Sequence, residues 1–270
     1  MISLFMTPNR YTQILEKIFF AHYKKGDLFV SFAREEIEHA AAELGIKLPK
    51  NLGDLIYSFR FRTELPASIR DVAPKGKSWV IKLAGKAQYK FVAEKQWVIQ
   101  ANSGLMRVKI PDSTPGVIAR YALDDEQALL ALVRYNRLVD VFAGVASYSL
   151  QNHLRTTVEG IGQVEVDELY VGIDRRGAHF VFPVQAKGGR DRMSLVQIEQ
   201  DMTMCAQKFP NLICRPLGAQ FLPDGGIAIM EFTNTEDGIR LACERHYLLV
   251  PKDKLSDEDI AQYRAVSDAV

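Results

Sequence analysis

Between Glu165 and Lys187 the chain gathers residue types that together suit hydrolysis of a phosphodiester: Glu165, Asp167, Glu168, Gln185 and Lys187. A hard cation such as Mg2+ takes oxygen ligands from carboxylates and keeps several of its waters. Once bound, it lowers the pKa of a water and offsets the charge of the phosphate. A nearby lysine can orient that water and steady the charge that builds on the phosphorane oxygens. Gln185 offers a neutral oxygen and brings no charge. A second acid beside Asp167 is therefore required, and Glu165 or Glu168 is the nearest source.

Two strands and a tight turn must position these groups. Val164, Val166, Leu169, Val171 and Ile173 mark the first strand; Phe180, Val181, Phe182 and Val184 mark the second. Asp174-Arg-Arg-Gly177 carries turn chemistry between them. A loop of Arg175 to Gly177 sets Asp167 opposite Gln185. Side chains alternate along a strand, so Glu165, Asp167, Gln185 and Lys187 then share one face. A loop one residue longer or shorter would pair Glu168 or Val184 differently.

The same residues resemble the PD-(D/E)xK nuclease superfamily, in which an acid on one strand is followed by acid-x-Lys on the next. Gln185-Ala-Lys187 is similar to the Gln-x-Lys variant of the Mrr-like restriction endonucleases. The resemblance implies that Asp167 is the metal-binding acid, Gln185 the variant second ligand and Lys187 the catalytic lysine. No Pro precedes Asp167, and the Gly-rich run that often precedes the Mrr acid is absent, which leaves Asp167 and Glu168 both open as that acid. The likeness covers roughly residues 137 to 235. It implies Mg2+ as cofactor, double-stranded DNA as substrate, a restriction or other defence role, and a homodimer if both strands are cut.

The composition is that of a soluble globular protein with a substantial core: 270 residues, 47% hydrophobic and 25% charged. A formal net charge of +1 means that any grip on a polyanion comes from local patches. Cys205, Cys214 and Cys243 show neither metal nor disulfide spacing, which fits a reducing cytoplasm, with all three as small buried hydrophobes. No stretch approaches a membrane span and the N-terminus carries no signal-peptide pattern, so a cytoplasmic location is expected.

The N-terminal part reads as helical. Tyr11, Ile14, Leu15, Ile18 and Phe19 recur at helical spacing within residues 10–23. A second helix is expected over 32–44 with Ser31 as its cap, and a third from near Pro49 to about Phe61. A strand pair from Trp79 to Val92 turns at Ala84-Gly-Lys86. Three helices followed by a hairpin resemble a winged helix-turn-helix. Positive charge is dense here: Lys47, Lys50, Arg60, Arg62, Arg70, Lys75, Lys77, Lys82, Lys86, Lys90 and Lys95 face Asp54, Glu64, Asp71 and Glu94. In such a domain the third helix enters the major groove and the hairpin follows the backbone. Lys50, Arg60, Arg62, Lys75, Lys77 and Lys86 are the candidate phosphate contacts, with Asn51 or an Arg placed to read bases.

Pro111-Asp-Ser-Thr-Pro115-Gly116 is the best linker, so the expected domains are 1–110, winged-helix-like, and 111–270, restriction-endonuclease-like. Asp124 or Asp125 can cap a helix to about Arg134, and Leu138 to Arg155 reads as a second helical segment with a break at Gly144. His153 reads as a surface residue, and Glu159 is a possible third acid. After Lys187, Gly188-Gly-Arg190-Asp-Arg192 lets the backbone approach a phosphate and adds two DNA-binding arginines. Ser194 and Gln197 form the two ends of a capping box for a helix to about Lys208. Strands at Arg215–Leu222 and Gly226–Phe232 and a short helix after Ser256 complete the reading. The expected fold is α/β, a mixed sheet flanked by helices, with an N-terminal winged helix-turn-helix-like domain. A metal-dependent DNA endonuclease is the expected function; a DNA-binding regulator whose nuclease fold no longer cuts is the alternative, favoured by Gln185 in place of an acid.

Overall fold

A computed structural model describes residues 10–61, 63–95, 99, 101–102, 104–121, 125–188, 193–236 and 238–267. The chain divides into two units, Met1–Trp97 with Thr157–Gly162, and Val98–Thr156 with Gln163–Val270. The expected break after residue 110 falls inside a strand of the second unit.

The first unit runs α1 (Thr12–His22), β1 (Phe29–Ala33), α2 (Arg34–Glu43), α3 (Leu52–Phe61), α4 (Ala67–Asp71), β2 (Ser78–Leu83) and β3 (Gln88–Glu94). Its three strands form an antiparallel sheet in the order β1-β3-β2. Buried Phe19 meets Trp79 at 5.0 Å and Phe91 at 5.1 Å, edge to face, which joins α1 to the hairpin.

The sequence reading missed β1. Val30 and Phe32 are buried while Phe29 and Ser31 face out, the period of a strand. Ser31 therefore pairs with Lys90 and caps nothing. Helix α2 starts later, and Glu36 reaches back to the Ala33 N–H at 2.7 Å. Alanine has no side-chain acceptor, so only the acid half of a capping box forms.

The second unit runs β4 (Arg107–Pro111), α5 (Gly116–Tyr121), α6 (Glu126–Tyr135), α7 (Leu138–Ala143), β5 (Ala146–Val158), β6 (Gly162–Ile173), β7 (His179–Lys187), α8 (Leu195–Lys208), β8 (Ile213–Cys214), β9 (Leu217–Phe221), β10 (Ile227–Thr235), β11 (Gly238–Val250) and α9 (Asp257–Ser267). One mixed sheet has the order β4-β11-β10-β9-β7-β6-β5, with β8 also on β7. Strand β9 runs parallel to β7, β4 runs parallel to β11, and β6 is antiparallel to β7. The α/β class with a mixed sheet flanked by helices is therefore present.

Each face of the sheet has its own helical cover. Leu129, Leu130 and Val133 of α6 and Leu138 and Val139 of α7 pack on Tyr170, Phe182, Val184, Ala186, Leu217 and Ile229. On the other face Ile198 of α8 packs with Met193, Met230 and Phe232. A Cβ at Gly218 would lie 2.1 Å from Met193 Sδ, so the Met193 side chain packs over β9 where that strand pairs with Gln185, in the space a larger residue would take. Helix α9 lies along β4: Lys109 N–H donates to the Tyr263 hydroxyl at 2.9 Å and Lys109 Nζ pairs with Asp259 at 2.7 Å.

Two helical expectations are corrected. Residues 146–158 are strand, not helix. As the edge strand, β5 is exposed on both faces for most of its length, which erases the alternation that would reveal it. His153 within it has φ +48°, an uncommon backbone position for a residue other than glycine. Helix α8 has Ser194 at its cap but no side-chain cap bond, and the Gln197 amide turns to Gln185 instead of back to the cap. Strand β11 was not read from the sequence at all. All three cysteines are free; Cys205 is buried, while Cys214 and Cys243 are only partly so. Among the described residues no helix is long and apolar enough to cross a membrane.

Candidate active site

The β6–β7 hairpin follows the register implied by its turn. Gly177 N–H donates to Asp174 O at 3.0 Å, and Asp174 N–H to Ala178 O at 3.1 Å. Gly177 takes φ +81°, the left-handed position that closes a three-residue loop. Pairing runs from Ile173↔His179 to Glu168↔Val184. Carried one step further, Asp167 lies across from Gln185.

Asp167 is partly buried, and its Oδ2 accepts from Ala186 N–H at 2.8 Å. Burial raises its pKa, against the opposing pull of the Lys187 charge, the Ala186 N–H and His153; Glu165 adds to the rise. Lys187, whose side chain is 12% exposed, sets Nζ 3.4 Å from Glu126 Oε1 on α6. Glu165 pairs with Arg155 at 3.0 Å and has His153 Nδ1 at 3.8 Å. The structure thus brings Asp167, Glu165 and Lys187 into one charged group, bordered by Glu126, His153 and Arg155.

Gln185 and Glu168 do not take the places expected of them. The Gln185 side chain is fully buried beneath α8. Its Nε2 donates to Asp201 Oδ2 at 2.9 Å and to Glu165 O at 3.2 Å, and Gln197 Nε2 lies 3.4 Å from its Oε1. It is a brace within the fold rather than an open ligand. Glu168 belongs to the opposite face, as strand alternation demands. It is 0% exposed, accepts from Arg134 Nε at 2.8 Å and from Ser149 Oγ at 2.5 Å, and stands apart from Asp167 and Lys187. The bond to Glu168 raises the Arg134 pKa, and burial followed by the Glu168 charge raises that of Tyr170. Of the two neighbouring acids, Asp167 is the one beside the lysine.

Sequence reasoning missed Glu126 and Asp201. Glu126 follows the Asp125 cap of α6, whose Oδ1 accepts from Ala128 N–H at 2.9 Å. Asp201 is fully buried, and burial raises its pKa well above the usual range. Gln197 and Asp201 are one helical turn apart, so their shared face was a usable signal.

The expected DNA contacts divide. Lys50, Lys75 and Lys86 are exposed, and Lys77 is partly buried. Asn51 is engaged at the start of α3, accepting from Gly53 N–H at 3.1 Å and donating to Asp54 at 2.9 Å. Arg60 is partly buried and engaged within the fold: burial lowers its pKa to about 10, and its Nε donates to Ile81 O at 3.2 Å, tying α3 to β2. Arg62, Arg190 and Arg192 lie outside the described residues. Glu159 falls in the 157–162 segment that belongs to the first unit, so the second unit's acids do not include it.

Among the described residues no three His, Cys, Asp or Glu side chains gather closely enough to hold a metal by themselves. The oxygen donors of Asp167 and Glu165 still fit Mg2+, which is held by one or two carboxylates together with waters and substrate phosphate. Comparison with protein-family models, with curated proteins and with solved structures gave no match.

Proposed function

We propose that this protein is a metal-dependent endonuclease that hydrolyses DNA phosphodiester bonds. One observation carries the reading: Asp167 and Lys187 leave neighbouring strands together, partly buried, just past the last β6–β7 pair. The order β5, β6, β7, α8, then β9 parallel to β7 supports the likeness to PD-(D/E)xK nucleases. Asp167, with Glu165 beside it, would hold the ion. Mg2+ bound there would supply an acidified water and offset phosphate charge. Lys187 orients the attacking water and stabilises the charge on the phosphate oxygens. Gln185 keeps the two strands in place.

The first unit is the proposed duplex-DNA-binding domain. Its order helix, strand, helix, helix, short helix, hairpin, with a β1-β3-β2 sheet, supports a winged-helix reading. Exposed Lys50, Lys75 and Lys86 supply charge for phosphates. A restriction or defence role, with a homodimer for double-strand cutting, belongs to the same proposal.

Nicking of supercoiled plasmid tests it. Cleavage is expected with Mg2+, lost with EDTA and lost in Lys187→Ala. Metal-dependent cleavage that survives in Lys187→Ala rejects the assignment. A DNA-binding regulator without nuclease activity is the second reading, favoured by the burial of Gln185 where an acid would serve a metal. Salt-sensitive DNA binding with no cleavage under any divalent ion supports that one.

A further inference from the structure

The β6–β7 pairing stops at Glu168↔Val184. Beyond it the strands are joined by side chains. Gln185 Nε2 on β7 donates to the Glu165 carbonyl of β6 at 3.2 Å. Asp167 Oδ2 on β6 accepts from the Ala186 N–H of β7 at 2.8 Å. Each strand thus lends one side chain to the backbone of the other, at the level where Asp167 and Lys187 emerge.

The Gln185 amide is in turn held from α8. Its Nε2 also donates to Asp201 Oδ2 at 2.9 Å, and both side chains are 0% exposed. Asp201 Oδ1 has no hydrogen-bond partner among the described residues. A carboxyl in such a place costs free energy that an apolar side chain would avoid. Among the described residues its side-chain bond is to the amide that bridges the two strands of the site.

We infer that Asp201 is a positioning residue: through the Gln185 amide it holds β6 against β7 where Asp167 and Lys187 leave the sheet. This rests on the reading of Asp167 and Lys187 as the hydrolytic pair. Without the Asp201 oxygen, one Nε2 proton of a buried amide has no acceptor. The amide then turns, the bond to the Glu165 carbonyl weakens, and the spacing of Asp167 from Lys187 drifts. A misplacement of about 1 Å is enough to cost about 100-fold in rate.

The test uses the full chain, Mn2+ as the metal probe and supercoiled plasmid as substrate. Asp201→Ala is expected to weaken Mn2+ affinity and to lower kcat for nicking by about 10- to 100-fold each, the range for groups that orient ligands, with KM for DNA unchanged. Asp201→Asn keeps an oxygen for the Gln185 amide and should stay within about threefold of the parent in both. The side-chain N–H signals of Gln185 in a 1H–15N spectrum should match the parent in Asp201→Asn and shift in Asp201→Ala. A folded Asp201→Ala that binds Mn2+ and nicks like the parent overturns the inference. So does a folded Asp201→Asn as impaired as Asp201→Ala, or one whose Gln185 signals move to those of a free amide; the Asn results decide if Asp201→Ala does not fold. A parent protein that neither binds Mn2+ nor nicks removes the nuclease reading and this inference with it. An active parent with an unaffected Asp201→Ala removes the inference alone.

Discussion

Lys187 on β7 and Glu126 at the start of α6 form an ion pair, Nζ to Oε1 3.4 Å, with Lys187 the more deeply set of the two. The pair joins the candidate hydrolytic lysine to the helix on the other side of the sheet. Pairs with one exposed partner contribute only about 0–1 kcal/mol. Lys187→Ala should therefore melt within a few degrees of the parent, as followed by circular dichroism, while losing about 100-fold or more of its Mg2+-dependent nicking rate.

The two neighbouring acids should separate cleanly. Asp167→Asn retains an oxygen for the Ala186 N–H and should fold, yet calorimetric titration should find Mn2+ binding lost. Glu168→Gln should bind Mn2+ as the parent does. Its cost falls on folding, about 1–3 kcal/mol in urea, because Arg134 and Ser149 lose a charged acceptor. Reversed results would make Glu168 the metal acid.

Buried carboxyls give the fold a pH dependence of known sign. Burial raises the Asp201 pKa in the folded chain, so the unfolded chain ionises first as pH rises. The stability that this acid permits is complete below the ordinary aspartate range. It falls as pH climbs towards the folded value, by up to about 1.4 kcal/mol per pH unit for one proton. Asp167, also raised, acts in the same direction. Urea unfolding at rising pH, starting from the ordinary aspartate range, should show Asp201→Asn gaining on the parent until the folded pKa of Asp201 is passed, and a constant difference would contradict the assignment.

Charge on the first unit should divide into structural and DNA-facing parts. Arg60→Ala should cost about 1–3 kcal/mol of stability, since Arg60 is partly buried and bonded to the Ile81 carbonyl. The folded fraction should bind DNA normally. Lys75→Ala and Lys86→Ala should leave stability alone and each reduce the slope of log K against log salt by about 0.9, measured by fluorescence anisotropy.

The β6–β7 hairpin was legible because every rule it obeys is local. Val164, Val166 and Leu169 show the strand, Asp174 and Gly177 make the turn, and alternation then puts Asp167, Gln185 and Lys187 on one face. The helix face of α1 followed from apolar spacing in the same way, and α6 from its aspartate cap. Strand β5 was hidden by its edge position, which leaves both of its faces exposed and removes the period that marks a strand. Strand β1 was too short to stand out from the helix that follows it. What only the tertiary structure decided is who meets the hairpin from outside. Glu126 arrives on α6 and Asp201 on α8 because those helices bury their apolar stripes on opposite faces of the sheet. Gln185 becomes a brace because α8 lies over it. Short-range sterics and periodicity write the strand, its turn and its facing residues into the chain; which distant side chains are pressed against them depends on long-range packing, and no local spacing carries that.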